Sequence, residues 1–125
     1  MSTGVLGKSY KGGDTIIHEG DVGDCMYVIQ EGRVEVVSVK DTDIERLAVL
    51  EEGDFFGEMA IFESEVRVAT VRALTDVQVL TLDKRTFFKR IEEDPSLAFR
   101  LVETLSHRVR DLDRKLLKLR RQNSA

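Results

Sequence analysis

The chain has 125 residues, 42% of them hydrophobic and 34% charged, with a formal net charge of −4. That is enough apolar material for one domain with a core, and too little chain for two ordinary domains. The lone cysteine, Cys25, excludes an intramolecular disulfide, and no apolar run approaches the roughly 18 residues of a membrane-spanning helix. With no signal-peptide pattern at Met1-Ser2-Thr3-Gly4, the cytoplasm is the expected location. The charge is uneven: residues 1–95 carry 11 Lys/Arg against 20 Asp/Glu, and residues 96–125 carry 8 against 3. An acidic body argues against general nucleic-acid binding by that part, and it requires a specific cation wherever an anion is to be held.

The first segment, Gly4-Val5-Leu6-Gly7-Lys8-Ser9, has the Gly-Lys-Ser of a phosphate loop, but Ser2 stands where the first glycine of that loop is needed. It reads as a flexible lead-in strand. Between residues 15 and 82 glycines fall at turn positions, often before Asp, between short runs rich in Val, Ile and Leu. This predicts many short strands in a compact antiparallel roll or barrel. Arg33-Val34-Glu35-Val36 and Asp76-Val77-Gln78-Val79 alternate polar and apolar residues, so one face of each strand should be buried and the other wet. Periodicity alone does not separate a roll from a sandwich. His18 and His107 are far apart in sequence, with only Cys25 as a soft ligand. Neither a zinc pattern nor a Cys-His nucleophile pair is evident, so no catalytic residue, metal or cofactor is expected.

Phe56-Gly57-Glu58-Met59-Ala60-Ile61-Phe62-Glu63-Ser64-Glu65-Val66-Arg67-Val68-Ala69-Thr70 places a glycine-opened helical turn, a carboxylate and an arginine in one short segment flanked by strands. Glycine at the start of a short helix lets backbone approach a ligand and leaves the first N–H groups free for an anion. Arg67 can add a two-pronged contact to that anion, and Glu58 can accept protons from sugar hydroxyls. Together these parts suit a small phosphorylated ribose. The bland alternative is a mutual salt bridge of Glu58 and Arg67 that pins two loops.

Two helices follow, separated at Asp94-Pro95 because proline disfavours a helical residue before it. Asp83 is the expected N-cap of the first and Ser96 of the second. In the second, Ala98, Val102, Leu105, Val109, Leu112, Leu116 and Leu119 recur at alternating spacings of four and three, an a/d heptad seam. Valine at a (Val102, Val109) with leucine at d (Leu105, Leu112, Leu119) favours a parallel two-stranded coil, and so a homodimer through residues 98–119.

The segment 56–70 resembles the phosphate-binding cassette of cyclic nucleotide-binding domains, F-G-E-[LM]-A-L, a short variable run, then P-R-x-A-[TS], with Val66 at the family's proline. The resemblance extends over most of the chain. Gly13-Asp14-Thr15-Ile16-Ile17, Gly20-Asp21-Val22-Gly23-Asp24, Tyr27-Val28-Ile29 with Gly32-Arg33-Val34-Glu35-Val36, and Leu50 with Gly53-Asp54-Phe55 follow in the family's order. It implies a mainly β fold with C-terminal helices: a double-stranded antiparallel β-helix, or jelly-roll-like β-roll, over residues 1–95 with a short cassette helix, then a long dimerisation helix over 96–125.

It also implies a non-enzymatic regulatory module that binds a cyclic nucleotide and transmits occupancy through the last helix. By resemblance, Arg67 would hold the equatorial phosphate oxygen, Glu58 the ribose 2′-hydroxyl, and backbone N–H groups around Gly57, Met59, Ala60 and Val68 would complete the cradle, with Phe56, Ala69 and Thr70 beside them. Leu112 and Asp113 lie where similar proteins place residues that reach the base. Family members that prefer cyclic GMP often carry threonine just after the cassette arginine. Val68 offers no hydroxyl there, which puts cyclic AMP ahead of cyclic GMP. The alternatives are a nucleotide-independent homodimerisation scaffold and the sensor fragment of a Crp/Fnr-type transcription regulator. No DNA-reading domain is present in the sequence, and no downstream effector is named by it.

Overall fold

A computed structural model of the chain describes residues 5–62 and 66–123; Ser2 and Gly4 of the lead-in and Glu63, Ser64 and Glu65 of the cassette lie outside the described residues. The chain divides into two compact units, Met1–Phe87 and Phe88–Ala125.

The first unit runs β1 (Val5–Tyr10), β2 (Thr15–Ile17), β3 (Cys25–Glu31), β4 (Val34–Lys40), β5 (Asp43–Leu50), β6 (Phe55–Phe56), the single-turn helix α1 (Met59–Phe62), β7 (Thr70–Ala73) and β8 (Val77–Asp83), and then enters α2 (Lys84–Glu93). Two four-stranded sheets result, ordered β1-β8-β3-β6 and β2-β7-β4-β5, with every pairing antiparallel. Successive strands cross from one sheet to the other, except for the β4–β5 hairpin. That crossing pattern is what makes the unit a roll rather than two stacked meanders, and it is the jelly-roll-like architecture the sequence predicts. The lead-in strand is no loose arm: β1 pairs with β8 in unbroken register from Val5↔Leu82 to Tyr10↔Val77.

The core forms where the inward faces meet. Ile17, Val34, Val71 and Ala73 from one sheet are buried with Tyr27, Ile29, Phe56, Val77 and Val79 from the other. The alternation read at Asp76-Val77-Gln78-Val79 is observed directly, with Val77 and Val79 buried and Gln78 exposed between them.

One turn design is used twice, and its second copy leads into the cassette. In Lys11-Gly12-Gly13-Asp14 the Asp14 carboxylate accepts the Lys11 N–H at 2.8 Å while the Asp14 N–H donates to the Lys11 carbonyl at 2.9 Å. Glu51-Glu52-Gly53-Asp54 repeats both bonds, each at 2.9 Å. The third residue must take a left-handed backbone, φ 95° at Gly13 and 90° at Gly53, which is why glycine precedes aspartate in both. The second turn is stitched to β3, with the Gly53 N–H on the Ile29 carbonyl and the Ile29 N–H on the Asp54 carbonyl, both at 2.9 Å. A Cβ on Gly53 would meet no atom within 4 Å, so Gly53→Ala isolates the backbone cost. The expected loss is about 1–3 kcal/mol in urea unfolding, and an unchanged unfolding midpoint would contradict this account of the turn.

Asp83 caps α2 as predicted: its carboxylate accepts the Thr86 N–H at 2.7 Å, and that bond above all holds its pKa below the usual carboxylate range. The second unit contains α3 (Pro95–Asn123), one uninterrupted helix of 29 residues. Its cap is not Ser96. Asp94 accepts the Ser96 N–H at 3.1 Å through its carboxylate and the Leu97 N–H at 3.0 Å through its carbonyl. Pro95 therefore takes the first helical position, where the N–H it lacks is not needed. Val102, Val109, Leu112, Leu116 and Leu119 of the seam are exposed, whereas Leu105 is half-buried. Among the described residues no helix is long and apolar enough to cross a membrane.

Candidate functional site

The segment from Phe56 to Thr70 is built from both sheets. β6 ends at Phe56, whose ring is buried and stacks on Tyr27 of β3 with centroids 4.9 Å apart and planes within 6°. This fixes where the chain leaves the sheet. Gly57 then turns with φ 78°, a left-handed backbone suited to glycine. The chain closes on itself through the Ala60 N–H to the Gly57 carbonyl at 3.2 Å and the Ile61 N–H to the Glu58 carbonyl at 3.0 Å. Ala60 and Ile61 are buried, and Met59 between Glu58 and Ala60 is exposed. Glu58 is 8% exposed, unusual for a carboxylate, and it has an interaction partner.

Arg67 enters from the other side. Its main chain is paired to the loop before β3, with the Arg67 N–H on the Asp21 carbonyl at 2.7 Å, the Gly20 N–H on the Arg67 carbonyl at 2.9 Å, and an antiparallel bridge of Val66 with Val22. Its side chain is part-buried and reaches back to the turn at Gly57. Nη1 donates to the Gly57 carbonyl at 2.9 Å and Nη2 to the Cys25 carbonyl at 2.8 Å. The Gly57 carbonyl thus serves both the helical turn and the arginine, which ties the two halves of the cassette together.

The electrostatics follow from the partners. Carbonyl groups satisfy hydrogen bonds without cancelling charge, so these two bonds leave the guanidinium cationic and use two of its five N–H donors. Its Cζ lies 5.9 Å from the centroid of Tyr27, at the outer limit of a cation–π contact. Burial, and next a hydrogen bond with the Cys25 side chain, push the Tyr27 phenol well above its ordinary range. The ring beside the guanidinium is therefore a neutral phenol, not an anion competing for it.

A model of the family described as the cyclic nucleotide-binding domain matches residues 7–94. The chain belongs to this family. It is 43% identical over 91 residues to the cGMP-dependent protein kinase egl-4 of Caenorhabditis elegans, a match covering 70% of this chain and 12% of the kinase. It is 40% identical over 78 residues to the cAMP-dependent protein kinase regulatory subunit of Schizosaccharomyces pombe, covering 62% of this chain and 18% of that subunit. It superposes on the crystal structure of the Thermus thermophilus catabolite activator protein with a TM-score of 0.82 at 28% identity, over 92% of this chain and 55% of the other. The chain thus spans 12%, 18% and 55% of the lengths of these three proteins.

In this cyclic nucleotide-binding domain the Arg67 guanidinium meets the Gly57 carbonyl, and the buried Glu58 follows Gly57 in the same turn. Other residues from the sequence are placed differently from a simple cradle. The Ala60 N–H is already given to the Gly57 carbonyl. The Thr70 hydroxyl accepts the Glu19 N–H at 3.0 Å and so braces the turn after β2. Ala69 is half-buried and Val68 is 77% exposed. Leu112 and Asp113 belong to the second unit, where both are exposed on α3. The main chain of Gly20 and Asp21 holds Arg67 as well, a contact that no side-chain pattern in the sequence signals. The same is true of the Cys25 carbonyl and the Tyr27 ring.

Proposed function

We propose that the chain is a cyclic-nucleotide sensor without catalytic activity, which takes cyclic AMP at the cassette and passes occupancy to a partner through α3. The observation that carries this reading is the placement of Arg67: a cation resting on two neutral carbonyls, next to the glycine-opened turn that bears the buried Glu58. A phosphodiester needs donors without a competing carboxylate, and a ribose 2′-hydroxyl needs an acceptor. Arg67 would meet the equatorial phosphate oxygen and Glu58 the hydroxyl, with the N–H groups of Gly57, Met59 and Val68 toward the phosphate. Ligand binding would draw Arg67 and the cassette inward, and α3 would change what it presents.

The names of the relatives do not choose the base, since egl-4 is a cGMP-dependent kinase and the yeast subunit a cAMP-dependent one. The preference for cyclic AMP rests on Val68, an exposed residue with no hydroxyl to offer guanine. Val68→Thr is accordingly expected to improve cyclic GMP relative to cyclic AMP by about 1 kcal/mol, the net worth of one hydrogen bond. An unmoved ratio of dissociation constants would mean that the base does not lie against this residue.

The second part of the proposal is a parallel homodimer through residues 98–119. Its support is the exposed a and d residues of α3, an apolar stripe of a kind that a helix normally covers. The same observation is what favours the alternative, a dimerisation scaffold that ignores nucleotide. Native mass spectrometry of the purified protein separates the two: the sensor carries or takes up cyclic AMP, and the scaffold shows only the mass of the protein at every nucleotide concentration.

A further inference from the structure

Arg67 is held at both ends, by the main chain of the loop at Gly20 and Asp21 and by the carbonyls of Cys25 and Gly57. Between those anchors the side chain passes over Gly23. A Cβ at Gly23 would fall 2.0 Å from Nε, 2.2 Å from Cζ and 2.3 Å from Nη2 of Arg67, all far inside contact distance. The backbone at Gly23 does not itself require glycine, because its φ lies outside the left-handed range occupied by Gly13, Gly20, Gly32, Gly53 and Gly57. The guanidinium is thus the obstacle a side chain at position 23 would meet. It is also the end of a long flexible side chain, so the fold can accept a substitution by letting the arginine go.

We propose that Gly23 is a positioning residue for the nucleotide site: it keeps empty the volume that the Arg67 guanidinium occupies when it stands over the Gly57 turn. This rests on the reading of Arg67 as the phosphate-binding cation. Gly23 touches no ligand in this scheme and acts only through Arg67. Gly57 crowds the same group, with Nη1 2.9 Å from its would-be Cβ, but its φ of 78° would add backbone strain to any substitution there. Gly23 is the position at which the two effects separate.

The test is a double-mutant cycle read by calorimetry with cyclic AMP, using wild type, Gly23→Ala, Arg67→Ala and the double variant. Gly23→Ala is expected to bind at least tenfold more weakly while its thermal unfolding stays close to wild type. The double variant is expected to bind no more weakly than Arg67→Ala, since nothing is left to displace. Wild-type affinity in Gly23→Ala, or a double loss equal to the product of the single losses, would overturn the proposal. If Gly23→Ala does not fold, the double variant must, because the collision is gone; a double variant that also fails overturns it. Nitrogen-15 NMR of the Arg67 Nε–H group without nucleotide tests the same point independently of binding. The resonance should move in Gly23→Ala, and an unmoved resonance would overturn the inference. Undiminished binding by Arg67→Ala would remove the phosphate-site reading, and with it the role of Gly23 in binding.

Discussion

Replacing Arg67 with alanine is expected to weaken cyclic AMP binding by ~2–5 kcal/mol, the cost of truncating one member of a buried charge pair. At the lower end this is already more than tenfold in dissociation constant. The reason lies in what the side chain does before any ligand arrives. Its bonds to the Gly57 and Cys25 carbonyls place the cation over the cassette turn but leave its charge uncancelled. A phosphate entering there would exchange hydration for a charge-assisted contact whose geometry is already set. The body of the chain is acidic overall, so its net charge works against an anion. The roll should stay folded, because its core of Ile17, Tyr27, Ile29, Val34, Phe56, Val71, Ala73, Val77 and Val79 excludes Arg67. Circular dichroism should show the native spectrum, with a modest loss of stability from the two hydrogen bonds removed, since the Gly57 carbonyl keeps the Ala60 N–H. Titration showing wild-type affinity would dispose of the phosphate assignment.

The second large effect is expected on α3. Leu105→Asp with Leu112→Asp should yield a folded monomer, read by sedimentation equilibrium at micromolar concentration. Both positions lie at d of the seam, and a carboxylate there must either stay wet and hold the helices apart or be buried unpaired at a cost of several kcal/mol. A seam of about three heptads cannot offset that. The charges flanking the seam would give little help: in a parallel dimer Arg108 at g would face Asp113 at e of the partner, but Lys115 at g would face Arg120 at e, so one pair would attract and the other repel. The roll is a separate compact unit with its own core, so it should survive. Wild-type protein sedimenting as a monomer would defeat the dimer. If the double aspartate variant also binds nucleotide more weakly, Asp113 or its neighbours reach the base. Unchanged affinity in a monomeric variant would confine the site to the roll.

What could be read from the sequence divides along physical lines. The strand face was legible at Val77 and Val79, because burial on one face of a pleated strand has a period of two. At Val34-Glu35-Val36 the alternation is not kept: Glu35 is half-buried between Arg46 and Arg72, and a register shift after Val36 buries Val37 instead. The turns at Gly13-Asp14 and Gly53-Asp54 and the cap at Asp83 were legible because the interacting groups sit within three residues of each other. The second cap was misplaced by two residues: Ser96 and Asp94 both have suitable oxygens, and only the position of Pro95 in the first turn decides between them. Gly57, Glu58 and Arg67 could be selected because they are close in sequence. The anchors of Arg67 could not. One is a main-chain carbonyl 42 residues away, at Cys25, and carbonyls carry no sequence signature. Gly23 was hidden for a related reason. Its contribution is an absent Cβ beside a guanidinium that comes from another part of the chain.

Calorimetric titration of the wild-type chain with cyclic AMP tests the central claim most directly. Saturable binding of one nucleotide per chain is expected, stronger for cyclic AMP than for cyclic GMP and weakened by the Arg67 substitution. Heats indistinguishable from dilution for both nucleotides would contradict that claim, and would leave the roll as a scaffold for whatever α3 assembles.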